Sequence, residues 1–213
     1  MSDPNKEVYW SQFVDEFEQK QQQVVGDNIL SLMQAELSKE QNLGEVLELG
    51  CGTGLFTESL QKVSTLVTAT DYSEEMVTAA RNKRGYLKNV KYIKANAFDL
   101  EFDEETFDTV FMANLIHVIG NAEKLVLESK RVLKKGGVLI ITSFAITEMN
   151  FFNRMAMGIR YLKTFGKPSE DATKEKTTQK SVEQLLVKNG FKISKSTLLG
   201  NKSRAFYIRC IKQ

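Results

Sequence analysis

Short apolar runs alternate along this chain with segments of helical spacing. Val46 to Leu49 is one such run, with the charged Glu48 near its end, and it predicts a buried strand. Further strands are predicted over 66–71, where small and β-branched residues dominate, over 90–95, 107–113 and 138–142, and over 191–198 and 205–211. Between them Leu55, Phe56, Ser59 and Leu60 recur at helical spacing. A helix opens near Ser73 with Glu74 and Glu75 in its first turn, and others are predicted over 122–133 and 182–188. Strands alternating with helices predict an α/β domain, a Rossmann-like doubly wound sheet with helices on both faces. Ahead of it Tyr9, Trp10, Phe13, Val14 and Phe17 suit one amphipathic helix, and a second is predicted over 27–37. A helix over 148–165 is inserted after the 138–142 strand. Its spacing puts Phe152, Met155, Ala156, Ile159 and Leu162 on one face, with Arg154 and Tyr161 away from it. Gly166-Lys167-Pro168-Ser169 breaks this helix, and 171–180 is polar.

Three glycines at alternate positions, Gly50, Gly52 and Gly54, follow the first strand. They read as a loop in which backbone comes close to a ligand, or as a glycine-rich turn without one. Strand, glycine loop, helix is the opening unit of a nucleotide-binding α/β domain. The dinucleotide fingerprint would need its third glycine where Leu55 stands, and no Lys-Ser or Lys-Thr pair follows, so the loop is neither that fingerprint nor a P-loop. Asp71 ends the second strand, where a carboxylate can accept two hydrogen bonds from ribose hydroxyls; its other use would be to cap the helix that follows.

The pattern E-x-G-x-G-x-G from Glu48 to Gly54 resembles motif I of the class I S-adenosylmethionine-dependent methyltransferases. The resemblance continues in order over about 45–143, through Asp71, the region 107–119, and the helix–Lys-Gly-Gly–strand unit Arg131 to Gly137. It implies a seven-stranded, mostly parallel sheet with an antiparallel last strand, and S-adenosylmethionine as cofactor. Glu48, Gly50, Cys51, Gly52 and Gly54 would hold that cofactor, with its ribose on Asp71 and Tyr72 and Met76 beside it. Family members commonly have an acidic residue where this chain has Asn96. An Asn carbonyl can accept the same bond from an adenine amino group. Adenine recognition would then rest more on the Ala97 backbone and the Phe98 ring, with Asp99 as an alternative acceptor. Ala113 and Asn114 fall in a region that resembles motif IV, where the chain passes beside the sulfonium. In many related enzymes the first aromatic segment closes over the cofactor, which gives Tyr9 and Trp10 that role, plain packing being the alternative.

Composition places the chain among ordinary globular domains: 213 residues, 42% hydrophobic and 26% charged, enough for one domain with a sizeable core. The regions expected are a helical cap (1–40), a cofactor-binding core (45–143), an inserted acceptor region (144–180) and a closing helix and strands (181–213). No apolar run reaches membrane-spanning length, and Met1 to Lys6 is polar with no signal-peptide core. Two cysteines and one histidine cannot build a four-ligand nitrogen–sulfur zinc site, so no metal is expected, and a reduced, cytoplasmic protein is. Cys51 reads as a small residue that fits a tight loop rather than as a reactive thiol.

Charge is uneven. Residues 1–149 carry 15 Lys+Arg against 23 Asp+Glu, a net of −8, whereas 150–213 carry 14 against 4, a net of +10. The basic part either meets something anionic, such as a phosphate- or carboxylate-bearing acceptor, a membrane surface or nucleic acid, or is a solvated lysine-rich face. No nucleic-acid motif accompanies the basic residues, so no nucleic-acid partner is expected. The apolar stripe of the inserted helix docks it on the sheet, lines an acceptor pocket as a lid, or lies on lipid, and the lid is the preferred reading. Methyl transfer is an in-line displacement that asks mainly for alignment and exclusion of water. His117, just after the fourth strand, is the candidate base, or a residue that packs or orients the pocket. The function expected is methyl transfer to a small-molecule acceptor with an anionic group, by a monomer or homodimer. The alternatives are a lipid or quinone precursor at a membrane surface, and a non-catalytic S-adenosylmethionine-binding module.

Overall fold

The computed structural model describes residues 11–26, 28–166 and 177–213. Seven strands, β1 (Glu45–Leu49), β2 (Leu66–Asp71), β3 (Val90–Lys94), β4 (Phe107–Ala113), β5 (Leu133–Phe144), β6 (Phe191–Leu199) and β7 (Ala205–Lys212), form one sheet. Their order is β3-β2-β1-β4-β5-β7-β6. Strands β1 to β5 pair in parallel, and β7 runs antiparallel to both β5 and β6. The helices are α1 (Phe17–Val25), α2 (Ile29–Leu37), α3 (Thr57–Leu60), α4 (Glu74–Arg84), α5 (Ala122–Val132), α6 (Phe151–Phe165) and α7 (Gln179–Lys188). This is the doubly wound, mostly parallel architecture that the alternation of runs predicts.

Side-chain alternation along the strands splits the core into two layers. Val46, Val67, Phe111, Ile140 and Tyr207 face a cluster that includes Ile29, Met33 and Leu37 of α2, Leu60 of α3 and Val77 and Ala80 of α4. Leu47, Leu49, Val110, Met112, Leu139 and Ile141 face the opposite cluster, with Leu125 and Val126 of α5 and Val182 and Leu186 of α7. Both faces of the parallel strands are covered, which is why they read as near-continuous apolar runs. The winding reverses between β1 and β4, and at such a switch point a crevice opens outside the carboxyl ends of the strands.

Three elements differ from expectation. After the glycine loop the helix is a single turn, Thr57–Leu60. Only residues 50–65 connect β1 to β2, and the glycine loop uses the first of them. The Lys134–Gly137 turn lies inside β5, which begins at Leu133; the register with β4 shifts between Phe107 and Thr109, and Gly136 sits at φ +71°. Most of the apolar stripe of the inserted helix does not face the protein. Phe152, Met155, Ile159 and Leu162 are exposed, whereas Met157 and Phe165 are buried. Tyr161 stacks on Phe165 (ring centroids 5.4 Å apart), and Phe165 meets Phe13 edge-on at 5.0 Å. Aromatic contacts with the N-terminal segment, not the width of the apolar stripe, decide which side of α6 turns inward.

Phe111 is fully buried in β4 and packs on Phe56, two residues after the glycine loop, with ring centroids 5.9 Å apart. Phe111→Ala is expected to destabilise the fold by about 3–5 kcal/mol in urea unfolding monitored by circular dichroism. A loss below about 1 kcal/mol would contradict this packing.

Candidate active site

The site grows from the end of β1. Gly50, Gly52 and Gly54 have φ of +71°, +55° and +91°, the left-handed region that side-chain-bearing residues avoid. At Gly54 space is closed as well, because a Cβ would lie 2.8 Å from Cδ of Arg84. The loop is stitched to β2 by backbone bonds. The Cys51 N–H donates to the Thr70 carbonyl (2.8 Å), and the Gly52 N–H donates to Oδ2 of Asp71 (2.9 Å). Oδ1 of Asp71 accepts from the Ser73 N–H (3.0 Å). The helix cap is not Asp71 but Ser73, whose hydroxyl accepts from the Met76 N–H (3.1 Å).

Beneath the loop lies Arg84, buried in α4. Its guanidinium donates to both carboxylate oxygens of Glu18 (2.8 and 3.2 Å), to Glu58 (3.1 Å) and to the Thr53 carbonyl (2.8 Å). The Thr53 hydroxyl donates to the same Glu18 (2.6 Å), so α1 is tied directly to the glycine loop. Burial pushes the Glu18 carboxyl up, but the bonds from Arg84 and Thr53 outweigh it and hold the group below the usual carboxylate range. Glu18 is an anchor that the sequence did not announce, because its partner Arg84 stands 66 residues away on α4.

A cavity of about 910 Å³ opens over this loop. Its wall takes Gly50, Cys51 and Gly52, Asp71, Tyr72 and Met76, Asn96, Ala97 and Phe98, and Ala113, Asn114 and His117. These are twelve of the residues expected from sequence, brought together from the carboxyl ends of β1, β2, β3 and β4. Glu48 and Gly54 are not on the wall. Glu48 is buried under the loop, where its Oε2 accepts from the Thr57 hydroxyl (2.6 Å). Asp99 is also off the wall and exposed. Tyr9 and Trp10 lie outside the described residues. The rest of the wall, not expected in detail, includes Phe17, Gln21 and Val24 of α1, Phe144 at the end of β5 and Ile146 just after it, and Arg154, Met157, Tyr161 and Phe165 of α6. Arg154 and Tyr161, which sequence spacing set apart from the functional stripe, thus face the cavity.

Several wall groups have defined hydrogen-bonding states. The Asn96 carboxamide oxygen accepts from the Phe98 N–H (3.0 Å), and Lys124 lies over the Phe98 ring at 5.8 Å. Asn114, at φ +54°, accepts the Phe144 N–H on its Oδ1 (3.2 Å), which fixes the amide orientation and leaves Nδ2 buried without a partner among the described residues. Half-buried His117 bonds through Nδ1 to the buried Ser143 hydroxyl (2.7 Å), leaving Nε2 as its other ring nitrogen. Burial pushes its pKa down to about 4, so the ring is neutral at pH 7. Burial pushes the Glu48 carboxyl up to about 7, the Thr57 bond opposes this and the nearby Asp71 charge adds to it. Burial also pushes the Cys51 thiol well up, so it is no nucleophile.

Comparison with known proteins agrees with this geometry. Residues 47–141 match the methyltransferase domain family. The chain is 42% identical over 106 residues to phosphatidylethanolamine N-methyltransferase of Cereibacter sphaeroides, covering 48% of this chain and 52% of that protein. It is 33% identical over 101 residues to demethylmenaquinone methyltransferase of Tropheryma whipplei, covering 47% and 42%. With an uncharacterised protein of Methanocaldococcus jannaschii it shares 32% over 154 residues, 72% of this chain and 67% of the other. The chain spans about half the length of the two named methyltransferases that it matches. The fold matches the crystal structure of an S-adenosylmethionine-dependent methyltransferase of Thermotoga maritima with a TM-score of 0.71 at 22% identity, covering 97% of this chain and 99% of that one. Residues 47–141 are thus a methyltransferase domain of the S-adenosylmethionine-dependent kind.

Glu48 and His117 make opposite contributions to stability with pH. Glu48, raised in the fold, favours the native state at low pH, and that contribution is lost as pH rises from about 4.5 to 7. His117, lowered in the fold, favours the native state above about 6.5, and that contribution is lost as pH falls towards 4. The wild-type profile should therefore be nearly flat from these two groups. In urea titrations of the ligand-free protein, Glu48→Gln should become less stable as pH falls from 6.5 to 4, and His117→Gln less stable as pH rises from 4.5 to 7, by up to about 3 kcal/mol for the carboxyl. Parallel profiles for all three proteins would contradict these environments.

Proposed function

We propose that this chain transfers a methyl group from S-adenosylmethionine to a small acceptor with an apolar body and an anionic group. The observation that carries the proposal is the single cavity that joins the glycine loop to α1 and α6, with a volume near the upper end of the roughly 300–1,000 Å³ of ligand pockets. Bound S-adenosylmethionine supplies an electrophilic methyl on a sulfonium. The residues present fit it. Asp71 stands on the cavity wall at the end of β2, where a carboxylate, an acceptor-only group, can take ribose hydroxyls. Asn96, Ala97 and Phe98 would hold the adenine. The orphaned Nδ2 of Asn114 is a donor that needs an acceptor, and an oxygen of the ligand would satisfy it. Glu48 and Gly54 would act by shaping the loop.

For the acceptor, Phe144, Ile146, Met157, Tyr161 and Phe165 offer apolar contact, and Lys124 and Arg154 offer positive charge. The two named relatives are described as acting on a phospholipid and on a quinone precursor, both molecules with apolar bodies. This supports the acceptor class without naming the acceptor. His117 would orient the acceptor through Nε2. With its pKa near 4 it is a weak base at neutral pH. The chemistry then rests on alignment and exclusion of water.

Calorimetric titration tests the cofactor. S-adenosylmethionine and S-adenosylhomocysteine should bind the wild-type protein and NAD should not. Asp71→Ala should weaken binding by more than tenfold, about 1.4 kcal/mol, while keeping a native circular dichroism spectrum. No binding of either sulfur ligand to the wild-type protein would sink the proposal. Once an acceptor is in hand, His117→Gln should lower kcat by less than about a hundredfold, the low end for loss of a general base. A loss near ten-thousandfold, with a pH limb near neutrality that the variant abolishes, would restore His117 as the base.

A further inference from the structure

The helix that walls the cavity has a second face that the site does not use. Phe151, Phe152, Met155 and Ile159 of α6 are 61, 75, 50 and 48% exposed and off the cavity wall, and Leu162, 54% exposed, continues their row while also lining the cavity. At 100° per residue they fall in one row along the outer side of the helix, beside the arc that carries Met157, Tyr161 and Phe165. Single exposed apolar residues are ordinary, but a contiguous row of five large ones marks an interaction surface. Exposed Lys163 stands beside one edge of the row, and exposed Arg154 stands past the other, on the side of the helix that walls the cavity. No Asp or Glu occurs between Met149 and Ser169, whereas Arg154, Arg160, Lys163 and Lys167 do.

We propose that the outer face of α6 docks on an anionic lipid surface. An amphipathic helix with large apolar residues on one side and cations at its margins lies in the plane of a bilayer, its apolar row sunk at the boundary of headgroups and acyl chains. The cations flanking the row meet lipid phosphates, and the net +10 of residues 150–213 adds attraction over a longer range. A second copy of the chain fits the face poorly, because pairing α6 with itself would set its cations against one another with no acid on either helix. Docking sets the cavity beside the bilayer, since Arg154, Met157 and Tyr161 of the same helix wall it. An acceptor dissolved in lipid then has a short path to the site. That last step rests on the methyltransferase reading, and the docking itself does not.

The test is co-sedimentation of the full chain with vesicles containing phosphatidylglycerol and with vesicles of phosphatidylcholine alone. The variant is the triple substitution Phe152→Ser, Met155→Ser and Ile159→Ser, at exposed positions off the cavity wall. Wild type should partition at least about tenfold more strongly into the anionic vesicles, less so as salt is raised. The triple variant should lose at least about tenfold of that binding while S-adenosylmethionine binds as in wild type. The proposal is overturned if the wild-type chain ignores anionic vesicles, if it binds both vesicle types equally, or if the triple variant binds as well as wild type. It is also overturned if light scattering shows a wild-type dimer that the triple substitution dissolves. Vesicle binding gained only on removing residues 1–10 would make that segment the occupant instead. Vesicle binding without cofactor binding in wild type would leave docking standing and remove the methyltransferase reading.

Discussion

The Asp71 carboxylate ties the end of β2 to the end of β1 through a single backbone N–H, that of Gly52, and most of the site depends on that bond. It holds open a loop in which three glycines adopt left-handed backbone, a conformation that costs roughly 1–2 kcal/mol at each residue bearing a Cβ. Because the loop is held flat against β2, the floor of the cavity is main chain, and a ligand can approach it closely. The same carboxylate also accepts the Ser73 N–H, so the start of α4 is registered to the loop as well. Two strands, a loop and a helix are thus positioned by one side chain that also lies on the cavity wall.

Arg84 does for the N-terminal segment what Asp71 does for the strands. A buried guanidinium binding Glu18, Glu58 and the Thr53 carbonyl gains little net stability over an apolar replacement, since desolvation offsets much of the attraction. What it supplies is position. Glu18 brings α1 to the loop, α1 packs against α6, and the far wall of the cavity is thereby set from the same point as its floor. Removing one partner would leave the others buried and unsatisfied, which makes the arrangement all-or-none.

The electrostatics suit a reaction governed by alignment. Neutral His117 at the cavity wall keeps that region from repelling a cationic sulfur centre, and Glu48, pushed up to about 7 by burial, carries only part of a negative charge beneath the loop at neutral pH. Asp71 remains on the wall at the strand ends, and Lys124 and Arg154 are the lysine and arginine that share it among the described residues. The polarity is one in which a sugar hydroxyl and an anionic acceptor find different partners.

The sheet and the glycine loop were legible in the sequence because both are written in local terms. Strand positions follow from apolar runs, and the loop follows from glycines where no Cβ fits, as at Gly54. Asp71, Asn96 and Asn114 were legible by their place at strand ends, since the parallel sheet puts those ends at one edge. The orientation of α6 was not. Its apolar stripe predicts a buried face, yet Phe152, Met155 and Ile159 point outward while Tyr161 and Phe165 turn in. Glu18 was likewise invisible, because its partner stands 66 residues away. Periodicity records what a helix could bury. Only the partners that tertiary structure brings within reach, here Phe13 for α6 and Arg84 for α1, decide which side is buried and which is left for something else.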